Sequence, residues 1–293
     1  MQPRTAEALL AGILANQLRR IEFNYDGARE GSDPERLHDL RVAIRRARFA
    51  LRLFAPFVDS AKCHKIRESL AGLNSKSSEV RDLDISIGRL KILFIKHRMD
   101  TGIRNKIFRE LLERHKQARH HMLKALTSSC YEETISSISG FIKELKEKRS
   151  GSCKGENIGR IFNKLTRVHA DKLSNWGNWS SKDLSSKDLH KMRIDFKRAR
   201  YLMEFLSACN EAQKSVKKYE TVFESLQDIL GKHQDSMTVI KNVREASEKA
   251  GLDDVDIKKI VKSEKKRAKK SRTEFESRWE KLRRRRILPR FFK

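Results

Sequence analysis

Proline is scarce in this chain of 293 residues, which contains only four, and none of them lies between residues 57 and 288. Because proline removes a backbone N–H and breaks a helix, this long stretch lacks the strongest helix breaker. Apolar residues recur along it every three or four positions, and runs of Val or Thr are few. Asp33 followed by Pro34 is a typical helix start, an N-cap residue before proline at the first helical position. The sequence therefore predicts an all-α fold.

Cysteine is equally rare, and no two cysteines stand close together in the sequence. The absence of Cys-x-x-Cys excludes a zinc cage or a redox motif of that type. Long apolar runs are missing as well, since none approaches the roughly 20 residues that span a bilayer. The short apolar run at 8–15 indicates an amphipathic first helix rather than a signal peptide. We therefore expect a cytoplasmic protein with free thiols and no membrane contact. The four cysteines are Cys63, Cys130, Cys153 and Cys209.

Acidic residues are outnumbered: 66 Lys and Arg face 39 Asp and Glu, giving a formal net charge of +27. An excess of this size favours a nucleic acid, another polyanion or an anionic membrane surface as partner. Aromatic residues make up only 7% of the chain. Several of them, such as Phe49 and Phe196, fall within apolar helical patterns, where core packing is commoner than base stacking. The composition therefore indicates a polyanion ligand without a stacking platform.

Residues 37–52, LHDLRVAIRRARFALR, place a row of bases on one helix face. The row steps by three or four positions, so its members are neighbours on a helix surface, and an apolar stripe lies beside them. Such a row without acids is repulsive unless an anion lies against it. For this helix alone, a solvated basic face is an equally good interpretation. The row consists of His38, Arg41, Arg45, Arg48 and Arg52.

The same row recurs 152 positions later, in residues 189–204, LHKMRIDFKRARYLME. Arg198 takes the position of Arg46, whereas Glu204 takes the position of Arg52. Ser185 and Asp188 precede the second row as a capping box. Such a recurrence indicates an internal duplication. The second row consists of His190, Arg193, Lys197 and Arg200.

The duplication extends beyond the basic helices. LQDILGKHQD at 226–235 aligns with the segment around residue 82 at an offset of 153, which places Asp235 opposite Asp82. We expect helix ends at residues 76–78 and at Gly231, and a linker at 149–155. The basic end at 283–293 predicts a solvated tail, with a second polyanion contact as the alternative. The predicted organisation is one domain, 1–293, with a first helical repeat at about 5–98, connecting helices at about 103–148, a second repeat at about 156–250 and a basic C-terminal helix at about 255–286.

The segments at 37–48, 189–200 and 226–235 resemble the signature segments of CHAD domains, the conserved histidine α-helical domains. The resemblance implies two four-helix bundles related by a pseudo-two-fold axis. It also implies a central basic pore or groove that binds inorganic polyphosphate. A Glu-x-Glu-x-Lys opening is absent, so the chain looks like a version without a fused triphosphate tunnel enzyme. Lys197 replaces a more usual arginine, and Arg81 stands where a histidine is expected.

The residue types suit this ligand independently of the resemblance. Arginine presents a planar fork to phosphate oxygens, lysine presents a point charge, and protonated histidine can donate from either ring nitrogen. We expect two basic helices to line a trough, and the protein to associate with polyphosphate granules or with proteins bound to them. The expected polyphosphate-binding residues are His38, Arg41, Arg45, Arg46, Arg48, Arg52, His190, Arg193, Lys197, Arg198, Arg200, Arg20, Arg81, Lys164, Arg167 and His233.

Two other functions stay open. Nucleic-acid binding is the main alternative, because any long basic surface attracts phosphates, although no helix-turn-helix, zinc finger or RNP-like motif is present. A phosphohydrolase would need acids that hold Mg²⁺, and Asp82 with Asp84, or Asp228 with Asp235, could supply them. Helix N-termini or the motif arginines are the better partners for Asp82 and Asp235. We therefore expect no catalysis, no metal and no cofactor.

Overall fold

The computed structural model of the chain describes residues 5–151, 158–177, 184–207 and 213–284. These residues form helices and contain no strand, which confirms the predicted all-α fold. The helices are α1 (Ala6–Glu30), α2 (Pro34–Phe54), α3 (Ser60–Lys76), α4 (Ser78–Lys96), α5 (Thr101–Leu126), α6 (Ser129–Gly151), α7 (Ile158–Gly177), α8 (Ser186–Ser207), α9 (Gln213–Lys249) and α10 (Asp254–Arg284), with a short 3₁₀ turn at Ala55–Phe57.

The helices that carry the two basic rows begin where their caps predict. The Asp33 carboxylate accepts a hydrogen bond from the Glu35 N–H at 2.8 Å, and Pro34 opens α2. At the start of α8, the Asp188 N–H donates to the Ser185 hydroxyl, and the Ser185 N–H donates back to the Asp188 carboxylate. Both caps satisfy backbone donors that lack an intrahelical partner. The local sequence therefore fixes where each basic row begins.

The predicted helix ends have two outcomes. The break at 76–78 is confirmed, because α3 ends at Lys76 and α4 begins at Ser78. The predicted end at Gly231 is wrong, because α9 runs without interruption from Gln213 to Lys249. Buried side chains on both sides of Gly231, including Leu230 and Val239, hold the helix together there. This packing outweighs the roughly 1 kcal/mol that glycine costs in a helix interior.

Several predictions fall partly or wholly outside the described residues. The first part of the expected linker is helical, because α6 continues to Gly151, while 152–155 lie outside the description. The tail beyond α10, residues 285–293, lies outside it as well.

Cys63 and Cys130 are free, and burial raises the pKa of the Cys63 thiol to about 11. Cys153 and Cys209 lie outside the described residues.

The chain divides into two compact units, each with residues from both predicted repeats. Unit 1 comprises Met1–Ser78, His120–His169 and Arg198–Glu220. In it, α1 packs against α2 and α6, and α2 packs against α3, around buried side chains such as Leu14 and Ile44. The Tyr25 and Tyr131 rings stack with their centroids 4.4 Å apart. Unit 1 therefore holds α2 on a core built from several segments.

Unit 2 comprises Glu79–Arg119, Ala170–Lys197 and Thr221–Lys293. Its core contains an aromatic cluster in which Phe196 of α8 contacts Trp279 of α10, with centroids 5.7 Å apart. Phe275 stacks on the same tryptophan, and all three side chains are fully buried. The basic C-terminal helix is thus part of the core of unit 2. The predicted pseudo-two-fold relationship and domain limits stay predictions.

Candidate functional sites

The α2 face of unit 1 carries the first basic row as the sequence predicted. His38, Arg45 and Arg48 are half-buried, whereas Leu40 and Ile44 beside them are fully buried. The apolar stripe is anchored in the core, and the bases lie at its edge because residues three and four apart share a helix face. The helix therefore presents its cations from a fixed position.

Arg41 has a structural role within this row. Its Nη1 donates to the Asn74 carbonyl at 2.9 Å and to the hydroxyls of Ser77 and Ser78 at 2.8 and 3.2 Å. These acceptors lie where α3 ends and α4 begins. Arg41 therefore ties the basic helix to this junction, and this use of its guanidinium could not be read from the spacing of the motif.

Arg46 lies beside an acid. Its Nη2 is 2.8 Å from a carboxylate oxygen of Glu204, and the Arg200 Nε is 3.6 Å from the other oxygen. The Arg46 guanidinium also lies over the Tyr201 ring, 5.3 Å from its centroid. Burial raises the pKa of Glu204, while Arg46 and Arg200 lower it. Glu204, the departure from the repeat, thus neutralises part of the positive charge in unit 1.

Arg45 and Arg48 differ from Arg46 because neither forms an ion pair with an acid among the described residues. Like that of Arg46, the Nε–H of each is buried and has no hydrogen-bond partner there. Burial lowers the pKa of the Arg48 guanidinium, Glu68 raises it and Arg67 lowers it. Burying a charged group without pairing it costs free energy, which an anion at its outer nitrogens would offset. Arg45 and Arg48 are therefore the best candidates in unit 1 for contact with a phosphate.

Arg67 of α3 is a cation of unit 1 that the sequence did not single out. It interacts electrostatically with Arg48, and its Nη2 lies 3.0 Å from the Nδ1 of His64. The spacing of His64 and Arg67, three positions apart on one helix, was a possible signal. A pattern of two residues is too short to be recognised among the many bases of the chain.

The remaining predicted residues of unit 1 lie nearer to solvent. Arg52, Lys164 and Arg167 are exposed, and the Lys164 ammonium lies 5.4 Å from the centroid of the Phe57 ring. Exposed charges contribute mainly long-range attraction, because salt and solvent screen them. Two further predicted bases, Arg20 and Arg198, are half-buried.

Unit 2 gathers a second set of cations around one carboxylate, Asp235 of α9. Burial raises the pKa of this carboxyl group above its ordinary value of 3.8, and four cations lower it. Three of them, on α4 and α8, were predicted as site residues, and the fourth, on α10, was not. Of the two kinds of partner expected for Asp235, helix N-termini and motif arginines, a motif arginine therefore acts electrostatically on this carboxylate. The cations are Arg193, Arg267, Arg81 and Lys197.

Glycine and histidine on α9 complete this cluster. A Cβ placed on Gly231 would lie 4.0 Å from the Arg193 Nη2, so the guanidinium lies over this turn of the helix. The His233 Nδ1 lies 3.1 Å from the Ala268 carbonyl, a distance that fits an Nδ1–H donor. His190 is exposed. The charges of Arg81, Arg193 and Lys197 thus act on the same carboxylate in unit 2.

Asp84, one of the acids named as an alternative metal ligand, contacts a histidine. The Asp84 carboxylate lies 2.8 Å from the His115 Nε2. Within the described ranges, no three His, Cys, Asp or Glu side chains are grouped so that they could hold a metal ion.

None of the described helices has the length and apolar character needed to cross a bilayer.

Comparison with known proteins gives a family and a fold. The CHAD domain family model matches residues 12–243. The crystal structure of the CHAD domain from the plant Ricinus communis is 20% identical, with a TM-score of 0.67, over 99% of this chain and 92% of that chain. PptA from Streptomyces chartreusis is 17% identical, with a TM-score of 0.72, over 95% of this chain and 100% of that chain. No curated protein sequence matches the chain. At these identities the two structures establish the fold alone.

Proposed function

Since the chain belongs to the CHAD domain family, we propose that it binds inorganic polyphosphate without catalysis, through clustered guanidinium and ammonium groups. The observation that carries this proposal is the pair of half-buried arginines, Arg45 and Arg48, whose buried Nε–H groups lack a hydrogen-bond partner among the described residues. Polyphosphate binding is the function that the family resemblance implies. The pair supplies a physical reason for an anion to bind at α2.

Guanidinium groups suit a linear polyphosphate for a geometric reason. Each can present two parallel N–H donors to phosphate oxygens, and these charge-assisted hydrogen bonds are roughly twice as strong as neutral ones. Polyphosphate offers no base edges and no rings, so its binding site needs no aromatic platform. The rings beside the basic rows serve the core instead: Phe49 packs on Phe205, and Phe196 packs on Trp279.

The test is a binding titration with polyphosphates of graded length, with DNA and RNA of equal total charge as competitors. We expect affinity to rise with polyphosphate length until the site is filled. Affinity should also fall with salt, because each neutralised phosphate releases counterions, with a slope per contact of roughly 0.7–0.9 by analogy with nucleic acids. Tighter binding of DNA or RNA at equal charge would replace this function with nucleic-acid binding.

A second measurement addresses catalysis and location. Incubation of the protein with polyphosphate and Mg²⁺ should leave the chain-length distribution unchanged, and release of phosphate would contradict the non-enzymatic proposal. In cells, we expect the protein in the cytoplasm and with polyphosphate granules. Co-sedimentation with granules, compared before and after their polyphosphate is hydrolysed, tests that association.

A further inference from the structure

Helix α10 lies beyond residues 12–243, the part of the chain that the family model matches. Its position in unit 2 is nevertheless fixed by buried contacts. Trp279 and Phe275 are fully buried in the aromatic cluster, and Glu264 is fully buried with one carboxylate oxygen 2.8 Å from the Arg89 Nε. A side chain on the inner face of α10 is therefore held in place by the core.

Arg267 lies on this inner face, one turn after Glu264. Its Nη1 lies 3.3 Å from the Ser236 hydroxyl and 3.5 Å from the other Glu264 oxygen. Asp235, next to Ser236, interacts electrostatically with this guanidinium and with Arg193 and Lys197 of the second basic row. The α10 arginine therefore shares its surroundings with the predicted phosphate-binding residues of α8.

The next residue of α10 acts on a predicted ligand histidine. The Ala268 carbonyl lies 3.1 Å from the His233 Nδ1 and accepts a hydrogen bond from the Nδ1–H. This hydrogen bond fixes the orientation of the ring. It leaves Nε2 as the nitrogen that can donate to a phosphate when the imidazole is protonated. Arg267 and Ala268, two consecutive residues of α10, thus contact Ser236 and His233, which lie one and two positions from Asp235 on α9.

We propose that α10 completes the polyphosphate-binding site of unit 2, with Arg267 as a direct phosphate ligand and the Ala268 carbonyl as the group that orients His233. The proposal rests on the proposed function, since it assigns further residues to the same ligand. It distinguishes Arg267 from the other bases of α10, such as the exposed Lys266 and Lys270. The helix is then a part of the binding site rather than a basic surface.

The experiment compares Arg267→Gln with Lys270→Gln, two single substitutions on one helix that remove equal charge. Loss of a charge-assisted contact should weaken polyphosphate binding by about tenfold in Arg267→Gln. The salt slope should also fall by roughly 0.7–0.9. Lys270→Gln should change affinity by less than about twofold, because an exposed charge acts through screened attraction. Equal effects of the two substitutions would overturn the proposal.

Two additional variants separate the possible causes. Arg267→Lys keeps a positive charge beside the buried Glu264, so it tests the contact if Arg267→Gln fails to fold. Loss of the planar fork should still weaken binding by about threefold, and unchanged affinity would overturn the proposal. The double variant Arg45→Ala/Arg48→Ala reports on unit 1. Suppose that the unaltered protein and Arg267→Gln bind polyphosphate equally well, whereas this double variant does not bind. Then the proposed role of α10 is wrong, but the proposed function stands. If the unaltered protein does not bind polyphosphate, the proposed function fails.

Discussion

Arg46 and Glu204 are 158 residues apart in the sequence, yet the Arg46 Nη2 lies 2.8 Å from the Glu204 carboxylate. Both side chains are largely buried, with 15% and 22% of their surfaces exposed. Glu204 stands where the first repeat has Arg52. The position at which the two repeats differ therefore has a specific partner, Arg46. The acid reduces the positive charge that α2 offers to a ligand and joins two distant segments of unit 1.

The Arg46–Glu204 pair makes unequal predictions for its two members. Arg46→Ala should lower the free energy of unfolding by about 1–3 kcal/mol, because it removes the nearest cation from a largely buried carboxylate. Glu204→Gln should cost less, because burial already disfavours the ionised form. Urea denaturation measures both. Lys62→Ala, which removes the exposed pair with Glu144, is the control and should have no measurable effect. A larger loss for Glu204→Gln would contradict this account.

Arg45 and Arg48 should dominate binding in unit 1. The double substitution to alanine should weaken polyphosphate affinity by about a hundredfold, if each guanidinium contributes one charge-assisted contact. The core should persist, because the apolar stripe of α2 is unchanged and relief of an unpaired buried charge offsets lost contacts. Isothermal titration calorimetry and thermal unfolding measure the two quantities.

The matched control for this prediction is Arg19→Ala/Lys124→Ala. It removes the same charge from exposed positions of unit 1. If affinity depends on total charge alone, both double variants will lose the same amount, and the assignment of Arg45 and Arg48 as ligands will be wrong.

Asp235 should oppose anion binding in unit 2. Asp235→Asn removes a negative charge beside four cations and should strengthen polyphosphate affinity at neutral pH by about fivefold. Asp228→Asn, an exposed change on the same helix, should have little effect. Weaker binding by Asp235→Asn would show instead that the carboxylate positions the cations for the ligand.

The pH dependence of stability gives a second measurement on Asp235. Its pKa in the folded protein is raised above the ordinary value of 3.8, mainly by burial, so folding favours the protonated form. The stabilisation is fully present below the ordinary value and is lost as pH rises through the raised pKa. Relative to Asp235→Asn, the unaltered protein should therefore gain stability as pH falls through this window. A loss over the same window would mean that the cations outweigh burial.

The Trp279 side chain should contribute much of the free energy that holds α10 in the core of unit 2. Trp279→Ala empties a fully buried site beside Phe196 and should lower the free energy of unfolding by about 3–5 kcal/mol. Lys281→Ala, on the exposed side of the helix, is the control. Chemical denaturation measures both. Equal stability of the two variants would contradict the view that α10 belongs to the core.

The sequence determined the features that depend on neighbours within a helix. The all-α fold follows from the lack of proline and the apolar periodicity, and the Asp33 and Ser185 caps set the starts of α2 and α8 through contacts two or three residues away. The division of α2 into a basic face and a buried face follows from the helix period. The end predicted at Gly231 was wrong because a local glycine signal was outweighed by packing that α9 makes elsewhere.

The tertiary structure decided which cations a ligand can use. Arg41, Arg45 and Arg46 look alike in the sequence of α2. In the structure, Arg41 donates to the Asn74 carbonyl and Arg46 pairs with Glu204, whereas Arg45 forms no ion pair among the described residues. In unit 2, Arg267 joins the predicted bases although nothing in its own segment sets it apart. The physical reason is that desolvation and pairing depend on groups distant in sequence, which only folding brings within a few ångströms of each guanidinium.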